Sequence, residues 1–135
     1  MRPVLLAPAF LVACTSSSPA TEPPCVQGLS TSCAATYDPP TFATIHAKIL
    51  KPSCATGQGT CHTSDAAKAG LVLSEEGPAY DALKARITGS DVSCSLLQKR
   101  LHSTDPNYRM PPGSESLPAG DLCTITKWIA AGAPR

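Results

Sequence analysis

The amino-acid sequence predicts an all-α fold of about four short helices joined by long loops. Two patterns carry that expectation. Apolar residues return every three or four positions in four segments between Thr41 and Gly132, each bounded by capping or helix-stopping residues. No stretch alternates apolar and polar residues for long enough to make a half-buried strand.

The first helix is expected from Thr41, an N-cap, with Phe42, Ile45 and Ile49 on one stripe, Leu50 beside it and Pro52 closing the run. Ser64 to Lys68 can form a short helix ending at Gly70, and Leu71-Val72-Leu73 reads as a packed extended turn. Pro78 opens a second helix with Tyr80, Leu83 and Ile87 on one side and Gly89 as its stop. Asp91 or Ser93 can cap a third, in which Cys94, Leu97 and Leu101 share a face. Residues 103–120 hold four Pro and two Gly and form a long loop. The last helix runs from Pro118 or Ala119 to Ala131, with Leu122, Ile125 and Ile129 along one side and Trp128 next to it as a core residue.

The start of the chain has a different character. Arg2 precedes an apolar run from Val4 to Ala13, too short for the about 20 residues of a membrane-spanning helix. The run ends in Leu11-Val12-Ala13-Cys14, which resembles the lipobox of bacterial lipoproteins. That resemblance implies a signal peptide over 1–13, lipid on Cys14 and a protein of the cell envelope, anchored in a bilayer and facing the periplasm or cell surface. Residues 14–40, rich in Ser, Thr and Pro, then read as a lipid-anchored linker, and 41–135 as the folded domain. Loss of Arg2 from the 11 basic residues leaves 10 to match the 10 acidic ones, so no basic stripe is left to meet a nucleic acid.

Seven cysteines are present, and a lipid on Cys14 leaves six, an even number suited to an oxidising compartment. A local disulfide between Cys25 and Cys33 is expected in the linker, and Cys94 and Cys123, each opening an apolar-periodic segment, can staple two helices. Cys54 and Cys61 remain: a third disulfide, or two points of covalent attachment.

The segment Cys54-Ala-Thr-Gly-Gln-Gly-Thr-Cys61-His62 carries the most chemistry. A thiol followed at once by His, with a second thiol upstream, resembles the C-x-x-C-H haem-attachment site of c-type cytochromes. Here the gap is six residues, so the intervening chain must bulge, which Gly57 and Gly59 permit. The run Arg109-Met110-Pro111-Pro112, then Leu117 and a terminal helix ending Trp128-Ile129-Ala130-Ala131-Gly132-Ala133, is similar to the tail of small periplasmic cytochrome c domains. The resemblance covers about residues 42–133. It implies a cytochrome c-like fold with haem c on Cys54 and Cys61, His62 as proximal ligand and Met110 as distal ligand. His and Met together close the iron to substrates, so the expected activity is electron transfer with a redox protein partner, not catalysis.

Several readings compete. His46 and His102 are rival axial ligands, and Arg109 is a candidate partner for a haem propionate, while Lys99 and Arg100 are expected to face solvent. Zinc on Cys54, Cys61 and His62 would require adjacent side chains to turn to one small ion. No Ser-x-x-Lys or Gly-x-Ser-x-Gly nucleophile is present. The alternative to an electron carrier is a haemless structural or binding module of the same fold, with Cys54 and Cys61 joined as a disulfide.

Overall fold

The computed structural model describes residues 22–55, 62–87, 91–112 and 115–135. The expected signal peptide, Cys14, Cys61, the Gly57/Gly59 bulge and the Gly89 helix stop lie outside the described residues. Among those residues every regular element is helical, so the fold is all-α with loops.

Thr41 caps the first helix, its Oγ1 accepting from the Thr44 N–H at 3.3 Å. The chain is α-helical over Phe42–Ile45 (α1), π-helical over His46–Leu50, and α-helical again over Lys51–Cys54 (α2). Pro52 therefore does not close the helix, contrary to the expectation from sequence. The Lys51 N–H reaches back to the His46 carbonyl, a widened turn immediately ahead of the proline. Such a turn relieves the clash between a proline ring and the preceding carbonyls that normally ends a helix. The two extra residues of helix carry Cys54 to its place.

Helix α3 (Glu76–Lys84) begins two residues before Pro78, which sits in the first turn where its missing N–H costs nothing. Asp91 caps a single 3-10 turn (Val92–Cys94), accepting from the Ser93 N–H at 2.9 Å and the Ser93 hydroxyl at 2.6 Å. Those bonds, the hydroxyl's first, hold the Asp91 pKa below its usual 3.8. Ser95 then caps α4 (Leu96–His102), and α5 spans Ala119–Ala130.

Phe42, Tyr80 and Trp128 form the aromatic centre, with ring centroids 5.1 Å apart for Phe42–Tyr80 and 5.3 Å for Phe42–Trp128. Trp128 is fully buried and its indole N–H donates to the Pro134 carbonyl at 2.7 Å, so its place in the core is satisfied at both ends. The Tyr80 hydroxyl donates to the Ala133 carbonyl at 3.0 Å and clasps the same C-terminal tail.

The cysteine pairing corrects the sequence reading. Cys25 bonds Cys94 and Cys33 bonds Cys123; the local Cys25–Cys33 bridge and the Cys94–Cys123 staple do not form. Residues 22–40 are consequently a strap across the helical domain. The Val26 N–H donates to the Ser93 carbonyl (2.9 Å), Thr36 N–H to Gly120 (3.0 Å) and Tyr37 N–H to Thr124 Oγ1 (3.1 Å). Two ion pairs, Lys99–Glu22 and Lys127–Asp38, line its edge. The strap has few apolar residues of its own, and long-range bridges supply what a small core does not.

At Gly120 the strap comes so close that a Cβ would collide with Thr36 Oγ1 and lie 3.3 Å from the Thr36 nitrogen. Gly120→Ala is expected to destabilise the fold by about 1–3 kcal/mol, despite the better helix propensity of Ala. Chemical denaturation should show that loss, with Thr36→Ala in the same chain recovering part of it.

Candidate functional site

Cys54 is the last residue of α2 and is 8 % exposed. The His62 N–H donates to the Cys54 carbonyl at 3.0 Å, so the chain is back beside Cys54 eight residues on. His62 is buried, and its Nδ1 lies 3.2 Å from the Leu71 carbonyl. A carbonyl can only accept, so Nδ1 carries a proton, and the neutral ring in this tautomer has its lone pair on Nε2, the arrangement of a metal-binding imidazole.

The Leu71–Leu73 segment is pinned on several sides. The Leu73 N–H donates to the His62 carbonyl at 2.7 Å, and His46 Nε2 donates to the Leu73 carbonyl at 2.9 Å. His46 thus serves the Leu71–Leu73 turn, and it is not among the residues that line the cavity shared by Cys54 and His62. It is buried beside Phe42, it holds the turn that orients His62, and its Nε2 proton is committed.

Helix α4 and the loop after it supply more of the wall. The Met110 N–H donates to the Arg100 carbonyl at 2.8 Å, tying the proline-rich loop to the helix. Met110 and Pro111 are joined by a cis peptide bond. Cys54, His62 and Met110 thereby line one cavity of about 430 Å³, together with seven leucines and Pro111 and Pro112. Its volume falls in the range of about 300–1,000 Å³ usual for cofactor sites, and its lining is mainly apolar. A second hollow of about 470 Å³ lies under the strap, lined by Val26, Asp91 and Thr126 among others. No His, Cys or Met is among the residues that line it.

Lys68, Arg86 and Arg100 also line the first cavity, and sequence reading missed all three. Among the described residues none of them has a carboxylate partner. Arg86 instead donates to the carbonyls of Ala82 (2.8 Å) and Ala69 (3.1 Å), bracing α3 against the turn that carries Lys68. Arg109, the propionate candidate from sequence, is not part of this lining. Among the described residues no three His, Cys, Asp or Glu side chains gather around one point. A haem needs no such group: one imidazole and one thioether are enough for its iron, and the apolar wall and cationic side chains suit the macrocycle and its carboxylates.

His102 is not in the cavity either. It ends α4, and its buried Nε2 has no hydrogen-bond partner among the described residues. Burial lowers its pKa from 6.5. Below that value the unfolded chain binds the proton more readily, so this contribution to stability is present above about pH 6.5 and falls as pH drops toward the folded pKa. Urea midpoints at pH 7.5 and pH 5 should differ less in His102→Gln than in the parent chain.

Residues 59–114 match the family model of planctomycete cytochrome C, a stretch that contains Cys61, His62 and Met110. The match supports a cytochrome c-like domain. No curated protein and no solved structure gives a significant match.

Proposed function

We propose that the domain is an electron carrier with a covalently attached c-type haem, ligated by His62 and Met110 and bound through Cys54 and Cys61. The observation that carries this reading is the convergence of Cys54, His62 and Met110, eight and 48 residues apart along the chain, on one apolar cavity. The family match, which spans His62 and Met110 but begins after Cys54, supports it.

When bound, the haem supplies one-electron exchange between Fe(II) and Fe(III). The chain does the rest. The Leu71 carbonyl fixes the His62 tautomer and raises the basicity of Nε2. The leucines keep water from the cavity, and a thioether from Met110 favours the reduced ion over what a second imidazole would give. Lys68, Arg86 and Arg100 would hold the carboxylates of the porphyrin, their positive charge replacing the water those groups lose.

The test is expression of the full chain with haem-attachment machinery. A red protein with a sharp Soret band, and a mass gain of one haem that survives acid extraction, is the expected product. A second reading draws on the backbone bond from the His62 N–H to the Cys54 carbonyl, which returns the chain to the first cysteine. On that reading Cys54 and Cys61 form a disulfide in a haemless module. A colourless product with those thiols oxidised would establish it in place of the electron carrier.

The same proposal sets the domain at a lipid bilayer through Cys14, exchanging electrons with a redox protein partner at the cell envelope. Its support is the apolar run ending at Cys14; no described helix is long and apolar enough to span a membrane. Cys14→Ser is expected to move the protein from the membrane fraction to the soluble one.

A further inference from the structure

We infer that Arg100 is the positioning residue for Met110, holding the returning limb of the loop so that the thioether stays at the cavity. The inference rests on the reading of Met110 as a ligand, but its geometry stands without the haem. The chain leaves α4 at His102 and turns at Asp105, whose carbonyl accepts from the Tyr108 N–H (3.0 Å) and the Arg109 N–H (2.8 Å). It then comes back alongside the helix.

Arg100 meets that returning limb three times. Its carbonyl accepts from the Met110 N–H at 2.8 Å. Its Nη1 donates to the Tyr108 carbonyl at 3.0 Å, and its guanidinium carbon stands 3.8 Å over the Tyr108 ring. Tyr108 is 8 % exposed and its hydroxyl has no partner among the described residues, so the ring face and the carbonyl are what hold it. A planar guanidinium can stack and donate at once, whereas an ammonium is a point charge without the flat face. Arg100 also lines the cavity that Met110 lines.

A purely electrostatic role and a positioning role separate by substitution. In the haem-loaded full chain, Arg100→Lys keeps the charge and Arg100→Gln removes it; Tyr108→Leu removes the ring face, and Tyr108→Phe removes only the idle hydroxyl. Two readouts report Met110: the ferric sulfur-to-iron charge-transfer band, and the affinity for added imidazole, which displaces the sulfur. Positioning predicts that Arg100→Lys, Arg100→Gln and Tyr108→Leu all weaken the band and bind imidazole roughly tenfold or more tightly, a change of about 1.4 kcal/mol. Tyr108→Phe should match the parent. Covalent haem content should be unchanged in the two Tyr108 variants.

Recovery of the parental band and affinity by Arg100→Lys would overturn positioning in favour of charge alone, and parental behaviour of Arg100→Gln would overturn it outright. If the parent chain takes up no haem, hydrogen exchange at the Met110 amide decides instead. It should speed up roughly tenfold in Arg100→Gln and Tyr108→Leu and stay unchanged in Tyr108→Phe. Equal protection in all of them would refute the clamp itself, whereas faster exchange in Arg100→Gln and Tyr108→Leu of a chain that takes up no haem would uphold the clamp and refute only the electron-carrier reading.

Discussion

His62→Gly, matured alongside haem-attachment machinery, is expected to lose the low-spin spectrum of the parent and to regain it when imidazole is added. The Leu71 carbonyl holds the Nδ1 proton, so Nε2 is the one ring nitrogen with a lone pair to offer. Among the described residues no other imidazole lines the cavity: His46 spends its Nε2 on Leu73, and His102 lies away at the end of α4. A glycine there leaves room for a free imidazole. The substitution also breaks the bond to Leu71, at a cost of about 1 kcal/mol, small beside typical fold stability. Circular dichroism should therefore remain helical while the spectrum changes. A parental low-spin spectrum in the variant without added imidazole would rule out His62 as the ligand.

The second large effect concerns stability. Ser in place of both Cys33 and Cys123 is expected to cost about 4–5 kcal/mol, from the chain entropy released by opening a closure of 90 residues. The pair Cys25 and Cys94, 69 residues apart, should cost nearly as much. A local Cys25–Cys33 bridge would contribute only about 2–3 kcal/mol by the same entropy argument. Urea denaturation under non-reducing conditions distinguishes these values. Loss of both bridges would approach the whole stability of a small domain, about 5–15 kcal/mol, so the quadruple variant should be largely unfolded. If each double variant fell by 1 kcal/mol or less, the strap would be a decoration on an already stable helical body.

Much of the helical frame was legible because local chemistry determines it. The apolar spacing around Leu83, Leu101 and Ile125 marked α3, α4 and α5, and Trp128 belonged in the core by size alone. Met110 and His62 were legible for another reason: their neighbours, two prolines and a thiol, resemble a known arrangement. What was not legible depended on long-range placement. The widened turn before Pro52 is a property of backbone packing, and no residue type announces it. Disulfide partners 69 and 90 residues apart leave no mark in local spacing. Arg100 looked like a surface cation because α4 presents polar residues beside its leucines. Only the return of Tyr108 over its guanidinium shows that the half-buried side chain is engaged by the loop. His46 sat at the margin of an apolar stripe, and the carbonyl that claims it lies 27 residues away.

The connectivity of the strap also orders events during synthesis. Cys25 and Cys33 emerge early, yet their partners arrive only when residues 94 and 123 have followed. Between those moments the two early thiols are neighbours in sequence and open to each other. An oxidant acting on the growing chain would tend to join them wrongly, and reaching the final pairing would then require a disulfide isomerase or a delay in oxidation until the C-terminal helix is complete.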